Sequence, residues 1–302
     1  MHEIKTKKSA GLIFIPLFLF FYFYILKIEI HYPNKEKILL WGMIFFLVIG
    51  YLDDKYNLKV RIRLSVEIIF LYFLMYKYSN IDSIQLFFIS IEFSKPIIDL
   101  LMTIFLLGIV NLINFMDGLD SYLSSSILVL FIIYLNFHFG SELILFFTFF
   151  SLSLLGFIFF NTPKAKLFMG DVGSLPIGYF LGVIILFPES QLPKNTVHLE
   201  NLFFIMPVFI IDGTLTIIFR IFRKENIFRA HREHLYQLVS LHLIKKEYVP
   251  ILFSSTNFLS LVFYNLFLNK LYSFLFLYIF LILIYLILYK KIKMVKFHNH
   301  LV

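Results

Sequence analysis

The sequence has no cysteine among its 302 residues. That excludes disulfides, thiolate metal sites and cysteine nucleophiles, and says little about redox compartment in a chain this apolar. Charge is scarce as well: Asp, Glu, Lys and Arg make up 15%, against about a quarter in an average soluble domain. The net charge of +8 comes without any RNA- or DNA-binding motif, and the basic residues cluster in alternate loops, so nucleic acid is not an expected partner. Gly11 to Leu26 is an apolar run after a basic start, but no small-residue cleavage site follows it, so it does not read as a cleavable signal. No internal repeat or low-complexity linker divides the chain, and the inverted repeats with broken midplane helices typical of transporters are not visible.

What is abundant is hydrocarbon. The chain is 60% hydrophobic and 20% aromatic, with 41 Phe, and its apolar residues come in runs of about twenty, the length that crosses a bilayer as a helix. The expected fold is all-α: a single polytopic membrane domain over residues 1–302 with about ten transmembrane helices. The spans read as 11–30, 37–52, 62–78, 96–116, 119–137, 142–160, 172–188, 202–222, 250–268 and 271–289. If residues 1–10 are inside, 20 of the 27 Lys and Arg fall in the inside segments, which fits the positive-inside rule with both termini cytoplasmic. That orientation puts every acid-rich or His-rich motif on the cytoplasmic side. The outside loops read as short or bland.

Asn111 to Asp120, NLINFMDGLD, stands where the apolar run from Pro96 meets water. Asn111, Asn114, Asp117 and Asp120 recur every three residues, so on a helix they line one winding polar stripe. Carboxylates and carbonyls suit a hard divalent cation such as Mg²⁺, and acids near a membrane are costly enough to favour function over a plain helix end. Asp53 and Asp54 close the second span ahead of Lys55, Lys59, Arg61 and Arg63. Adjacent carboxylates repel, so a cation or a raised pKa is expected there; a solvated helix end paired with those bases explains the pair equally well. In Asn161 to Gly178, NTPKAKLFMGDVGSLPIG, Pro163 breaks the helix and Lys164 and Lys166 supply cations. Asp171 lies near the amide-rich start of the next span. Asp212 sits deep in an apolar run with Arg220 and Arg223 two and three turns on, so it reads either as functional or as half of a buried ion pair. His231, Arg232 and His234, in FRAHREHLYQ, could bind zinc only with a third ligand; facing aspartates, a basic loop suits a diphosphate better. Glu67 and Glu142 read as structural.

As a set, LDDKYNLKVRIRL (52–64), NLINFMDGLD (111–120), FNTPKAKLFMGDVGSLPIG (160–178), the Pro207…Asp212…Arg220 stretch and HREHLYQ (231–237) resemble the polyprenyl-phosphate N-acetylhexosamine-1-phosphate transferases, the family of MraY and WecA. They stand in family order over about residues 50 to 240, and the HRxHxYQ form is similar to the branch that initiates O-antigen or related surface polysaccharides. The resemblance implies a bacterial cytoplasmic-membrane enzyme. It would move N-acetylhexosamine-1-phosphate from a UDP-N-acetylhexosamine to a polyprenyl phosphate, usually undecaprenyl phosphate, with release of UMP and a need for Mg²⁺ or Mn²⁺. It also implies roles: Asp171 as metal ligand; Asp53, Asp54, Asp117 and Asp120 as catalytic; Asn111, Asn114, Asn161, Lys166, His231, Arg232 and His234 as substrate-binding. A homodimer is open to such a chain. Two departures from the family pattern stand out. Lys7-Lys8-Ser9-Ala10-Gly11 occupies the place of a PRGGG-like segment that a further helix usually precedes, and Ser121 follows Asp120 where Gly is common. The competing expectation is a non-catalytic membrane protein, either a transporter or an inactive relative. A transporter should hold ionisable groups at the midplane, where only Asp212 comes close, and an inactive relative should have lost an acid, which none of the motifs has.

Overall fold

The computed structural model describes residues 7–8, 10–25, 33–138, 141–162, 164–186, 196–226, 229, 231–266 and 270–299. In chain order, β1 (Lys7–Lys8) leads into α1 (Gly11–Ile25), α2 (Pro33–Tyr56) and α3 (Val60–Tyr78). The hairpin strands β2 (Ser83–Leu86) and β3 (Ile89–Glu92) are followed by α4 (Lys95–Phe115), α5 (Tyr122–His138) and α6 (Ser141–Asn161). Then come β4 (Leu167–Phe168), α7 (Asp171–Leu186), β5 (Thr196–His198), α8 (Glu200–Ile205), α9 (Pro207–Phe222), α10 (Leu235–His242), α11 (Tyr248–Leu266) and α12 (Lys270–Asn299).

Every apolar run read from the sequence falls on a helix, but two expectations need correction. The run 202–222 is two helices, α8 and α9. Met206 leaves helical geometry at φ −131°, ψ 44°, and Pro207 opens α9, because proline has no N–H to continue the ladder and disfavours helix in the residue before it. The fold is also not purely helical. β2 pairs antiparallel with β3 (Ser83 opposite Glu92) and parallel with β5 (Ser83 opposite Thr196), and β1 pairs with β4. By length and apolarity alone, Lys95–Phe115 and Leu271–Met294 can cross a bilayer, and Gly11–Phe20, Tyr122–Phe131, Thr148–Asn161 and Asp171–Leu186 are shorter apolar helices. The expected span ends at 26–30, 187–188 and 267–268, and the helix break at Pro163, lie outside the described residues.

α7 is the centre of the bundle. Apart from Asp171 and Ile184, all of its residues are buried, and α1, α2 and α4 pack around it. A Cβ on Gly178 would stand 2.8 Å from Val110 Cα, so α7 and α4 meet backbone to backbone. Tyr179, fully buried, donates from its hydroxyl to Ile38 O of α2 at 2.6 Å, which satisfies a group that burial would otherwise penalise. Phe18, Phe131, Phe150 and Phe180 interlock beside it, with Phe150 and Phe180 stacked at 5.2 Å and Phe18 edge-on to Phe150 at 4.6 Å. This packing fixes where the first turn of α7, and therefore Asp171, is presented.

Candidate active site

The start of α7 is built by α2. Gly170 adopts φ +73°, a left-handed conformation that glycine enters without steric cost. A Cβ there would lie 2.5 Å from Asp54 Oδ2, so the same glycine lets that carboxylate in. Asp54 Oδ2 accepts the N–H of Val172 at 3.0 Å, which places a negative group on the exposed amides of a helix start. At Gly50, any side chain would run into the backbone of Asp171 and Val172, so α2 and α7 touch directly below the site.

Around Asp171 the polar groups converge. Arg63 of α3 donates to Asp53 Oδ2 at 2.6 Å, to Asp171 Oδ2 at 3.3 Å and to Asn111 Oδ1 at 3.1 Å. Its Nε lies 3.6 Å from Glu67 Oε1. Asp53 Oδ1 also accepts the N–H of Leu58 at 2.8 Å. Asn114 Nδ2 donates to Asp171 Oδ1 at 2.9 Å and to Ser174 Oγ at 3.0 Å. One buried guanidinium therefore serves several carboxylates, so the site carries excess negative charge and favours a cationic occupant.

The expected helical stripe is cut in two: α4 ends at Phe115, so only Asn111 and Asn114 lie on it, and Asp117 and Asp120 fall in the turn before α5. Asn111 and Asn114 reach the Asp53–Asp171 cluster, while Asp120 pairs with Lys246 Nζ at 2.9 Å. Asp117, just past α4, contributes charge toward Tyr236. Tyr236 donates to Phe115 O at 2.9 Å, which docks the His231–His234 loop onto the end of α4. The His231 and His234 rings are 5.0 Å apart, and His234 lies 6.0 Å from the Phe115 ring. His234 is 3% exposed, whereas Arg232 is exposed. Burial, with His234 and the Arg220 guanidinium nearby, lowers the His231 pKa. Arg220 and Arg223 hold the base of this loop through Glu233, at 3.3 and 2.5 Å. They do not pair with Asp212, so the buried ion pair considered from the sequence is not formed.

Asn161 and Lys166 sit apart from the cluster. Asn161, 3% exposed, accepts the N–H of Ser121 and donates to Leu167 O at 2.7 Å, so its amide ties the α4–α5 turn to the strand before α7. The Lys166 side chain is exposed on the α6–β4 connection. Arg63 is the residue that sequence reasoning undervalued. It stands in the sequence only as one of four bases after Asp53-Asp54, and no local signal sets it apart from Arg61. Among the described residues no three His, Asp or Glu side chains form a ready-made metal cage. The groups that converge at Asp171 are carboxylates and carboxamides joined by Arg63, and 32% of the Asp171 side chain is open. This fits a magnesium ion held by one or two carboxylates and completed by substrate phosphates.

The sequence model of Glycosyl transferase family 4 matches residues 37–188, half of the chain. The chain belongs to that family. The matched segment carries Asp53, Asp54, Arg63, Asn111, Asn114, Asp117, Asp120 and Asp171, so the polar cluster is the family 4 part of the protein. Among family 4 relatives, a probable undecaprenyl-phosphate N-acetylglucosaminyl 1-phosphate transferase of Bacillus subtilis is 28% identical over 65% of this chain and 55% of its own length. An undecaprenyl-phosphate alpha-N-acetylglucosaminyl 1-phosphate transferase of Thermotoga maritima is 29% identical over 74% of this chain and 68% of its own. A phospho-N-acetylmuramoyl-pentapeptide-transferase of Fervidobacterium nodosum is 26% identical over 89% of this chain and 86% of its own. The chain thus spans little more than half of the Bacillus relative and most of the Fervidobacterium one.

Proposed function

We propose that the protein transfers N-acetylhexosamine-1-phosphate from a UDP-N-acetylhexosamine to polyprenyl phosphate, with undecaprenyl phosphate as the natural lipid, and releases UMP. The observation that carries this reading is the Asp53–Arg63–Asp171–Asn114 cluster at one end of the bundle in a family 4 chain. An oxygen of the lipid phosphate attacks the phosphorus that bears the sugar. A new P–O–P linkage forms, the bond to the uridylyl oxygen breaks, and UMP leaves with that electron pair. A phosphate monoester has a second pKa near 6, so the attacking group is largely dianionic at neutral pH. Proton removal by Asp53, whose oxygens already accept from Leu58 N and Arg63, then contributes little. Mg²⁺ or Mn²⁺ at Asp171 would neutralise the two anions that must meet. Asn114 orients Asp171, and Asp54 fixes the backbone on which it stands. His231, Arg232 and His234 supply donors for the diphosphate, and alignment and charge neutralisation carry the rate.

The chain is read as a multi-pass protein of the bacterial cytoplasmic membrane, with α8 and α9 sharing one crossing, about ten crossings in all and both termini in the cytoplasm. It would initiate a surface polysaccharide of the O-antigen kind, either as a monomer or as a homodimer. Release of UMP tests the reading. Purified protein is mixed with undecaprenyl phosphate, Mg²⁺ and a panel of UDP-N-acetylhexosamines, beside Asp171→Asn. UMP formed only by the unmodified protein, and only with lipid and metal, supports the transferase and names the sugar. No UMP with any donor, from folded protein, favours a non-catalytic role.

A further inference from the structure

Asp212 is 1% exposed on α9, and among the described residues neither Arg220 nor Arg223 pairs with it. Instead it receives the start of another helix. Oδ1 accepts the N–H of Leu235 at 2.7 Å, and Oδ2 accepts the N–H of Tyr236 at 3.1 Å. Thr216 Oγ1, one turn along α9, donates to Oδ1 at 3.2 Å. Leu235 and Tyr236 are the first two residues of α10, and the residue at its N-cap, His234, makes no capping bond with its own side chain. N-caps are normally Ser, Thr, Asp or Asn, because a short oxygen-bearing side chain must satisfy the free amides. Histidine is a poor choice there unless the cap comes from elsewhere, and here it comes from a carboxylate 23 residues earlier in the chain.

We propose that Asp212 is the positioning residue of the nucleotide-sugar loop: by capping α10 from α9, it frees the N-cap position for His234 and holds His231, Arg232 and His234 against the end of α4. This rests on the transferase reading of the site. The geometry is continuous. His234 Nδ1 lies 3.4 Å from Asp212 Oδ1, out of hydrogen-bond alignment. Tyr236, the second capped residue, bonds Phe115 O just before Asp117. Tyr122 stacks on Tyr236 at 4.3 Å and closes the other side. The positive end of the α10 dipole faces the carboxylate and offsets part of the cost of its burial.

The test compares Asp212→Asn with Thr216→Val in the full chain. Asparagine keeps one acceptor oxygen but puts an amide N–H₂ where Tyr236 N–H must be accepted. Thr216→Val removes the hydrogen bond that Asp212 receives from its own helix but leaves both carboxylate oxygens to accept the amides of Leu235 and Tyr236. Expected for Asp212→Asn is a KM for the UDP-sugar raised about tenfold, equivalent to about 1.4 kcal/mol, with the KM for lipid phosphate within about twofold. Thr216→Val should stay near the unmodified protein on both. Diethyl pyrocarbonate labelling read by mass spectrometry gives a second readout independent of turnover. His234, 3% exposed, should be protected in the unmodified protein and several-fold more reactive in Asp212→Asn. An unchanged KM for the UDP-sugar, or a loss confined to kcat with His234 still protected, overturns the proposal. If Asp212→Asn does not fold, Leu235→Pro carries the same test, since it deletes one capped amide at a position that tolerates proline. If the unmodified protein releases no UMP at all, the transferase reading falls, while the His234 labelling still decides whether Asp212 holds the loop.

Discussion

Replacing Arg63 with methionine removes the guanidinium that joins three helices at the site. Arg63 is 8% exposed and binds Asp53 on α2, Asp171 on α7 and Asn111 on α4. Methionine keeps much of the side-chain volume, so the change is mainly one of charge. Stripping one partner from a buried ion pair costs about 3–5 kcal/mol, because the remaining charge stays buried without compensation. Asp171 keeps 32% of its side chain open to solvent, which screens part of the penalty, so the low end, about 3 kcal/mol, is expected. Thermal unfolding of detergent-purified protein at low salt reads the loss as a fall in Tm of several degrees. Added Mg²⁺ should recover more of the loss in Arg63→Met than it adds to the unmodified protein, since a divalent cation neutralises the same carboxylates. Arg63→Lys should fall between the two, because a single ammonium cannot bridge three acceptors as a planar fork does. An Arg63→Met protein that unfolds at the unmodified temperature, with or without Mg²⁺, refutes the reasoning.

Three further outcomes are expected. Ser121→Gly should stabilise the protein by up to about 1 kcal/mol in chemical or thermal unfolding, because Ser121 is held at φ +55°, where a non-glycine residue pays roughly 1–2 kcal/mol and glycine gives back part of that in chain entropy. Asn161→Ala should cost about 1–3 kcal/mol of stability through the orphaned Ser121 N–H and Leu167 O, and leave the KM for the UDP-sugar unchanged; a raised KM with intact stability would return Asn161 to direct substrate contact. Burial and the neighbouring His234 and Arg220 lower the His231 pKa, so between its folded value and the ordinary value of about 6.5 the unfolded chain binds the extra proton, and stability falls as the pH drops through that window. Denaturant midpoints measured across that range should show the slope, and His231→Asn should flatten it.

The residues that were legible from sequence are those whose chemistry clashes with their local surroundings. Asp53, Asp54, Asn114 and Asp171 are polar groups at the ends of apolar runs, and they meet in space. Asp212 announced itself the same way, but its partners could not be read: the amides of Leu235 and Tyr236 have no side-chain signature, and they come within reach only because α9 and α10 pack together. Arg63 was hidden for a related reason. Its bonds to Asn111 and Asp171 cross 48 and 108 residues, and nothing in RIRL distinguishes a bridging arginine from a surface one. Asn161 lay inside a motif and was read with it, although its bonds go to backbone. The β2–β3 hairpin was present as period-two alternation in SIQL and ISIE but lay in a loop that looked bland beside the acidic ends. Pro207 marked the break between α8 and α9 in plain view, but the apolar run on either side outweighed it. Ser121, a departure from the expected glycine, stands at a left-handed position that explains why glycine is common there.

The claim that the sugar moves together with its phosphate is tested most directly by following the phosphorus. UDP-N-acetylhexosamine carrying radioactive phosphorus at the β position is incubated with the protein, undecaprenyl phosphate and Mg²⁺, and the lipid is extracted into organic solvent. The account predicts that the label leaves the nucleotide and appears in the lipid in step with UMP. Label that remains in water as UDP while the sugar enters the lipid contradicts it, because the bond broken would then be the glycosidic one and the cluster around Asp171 would serve a different reaction.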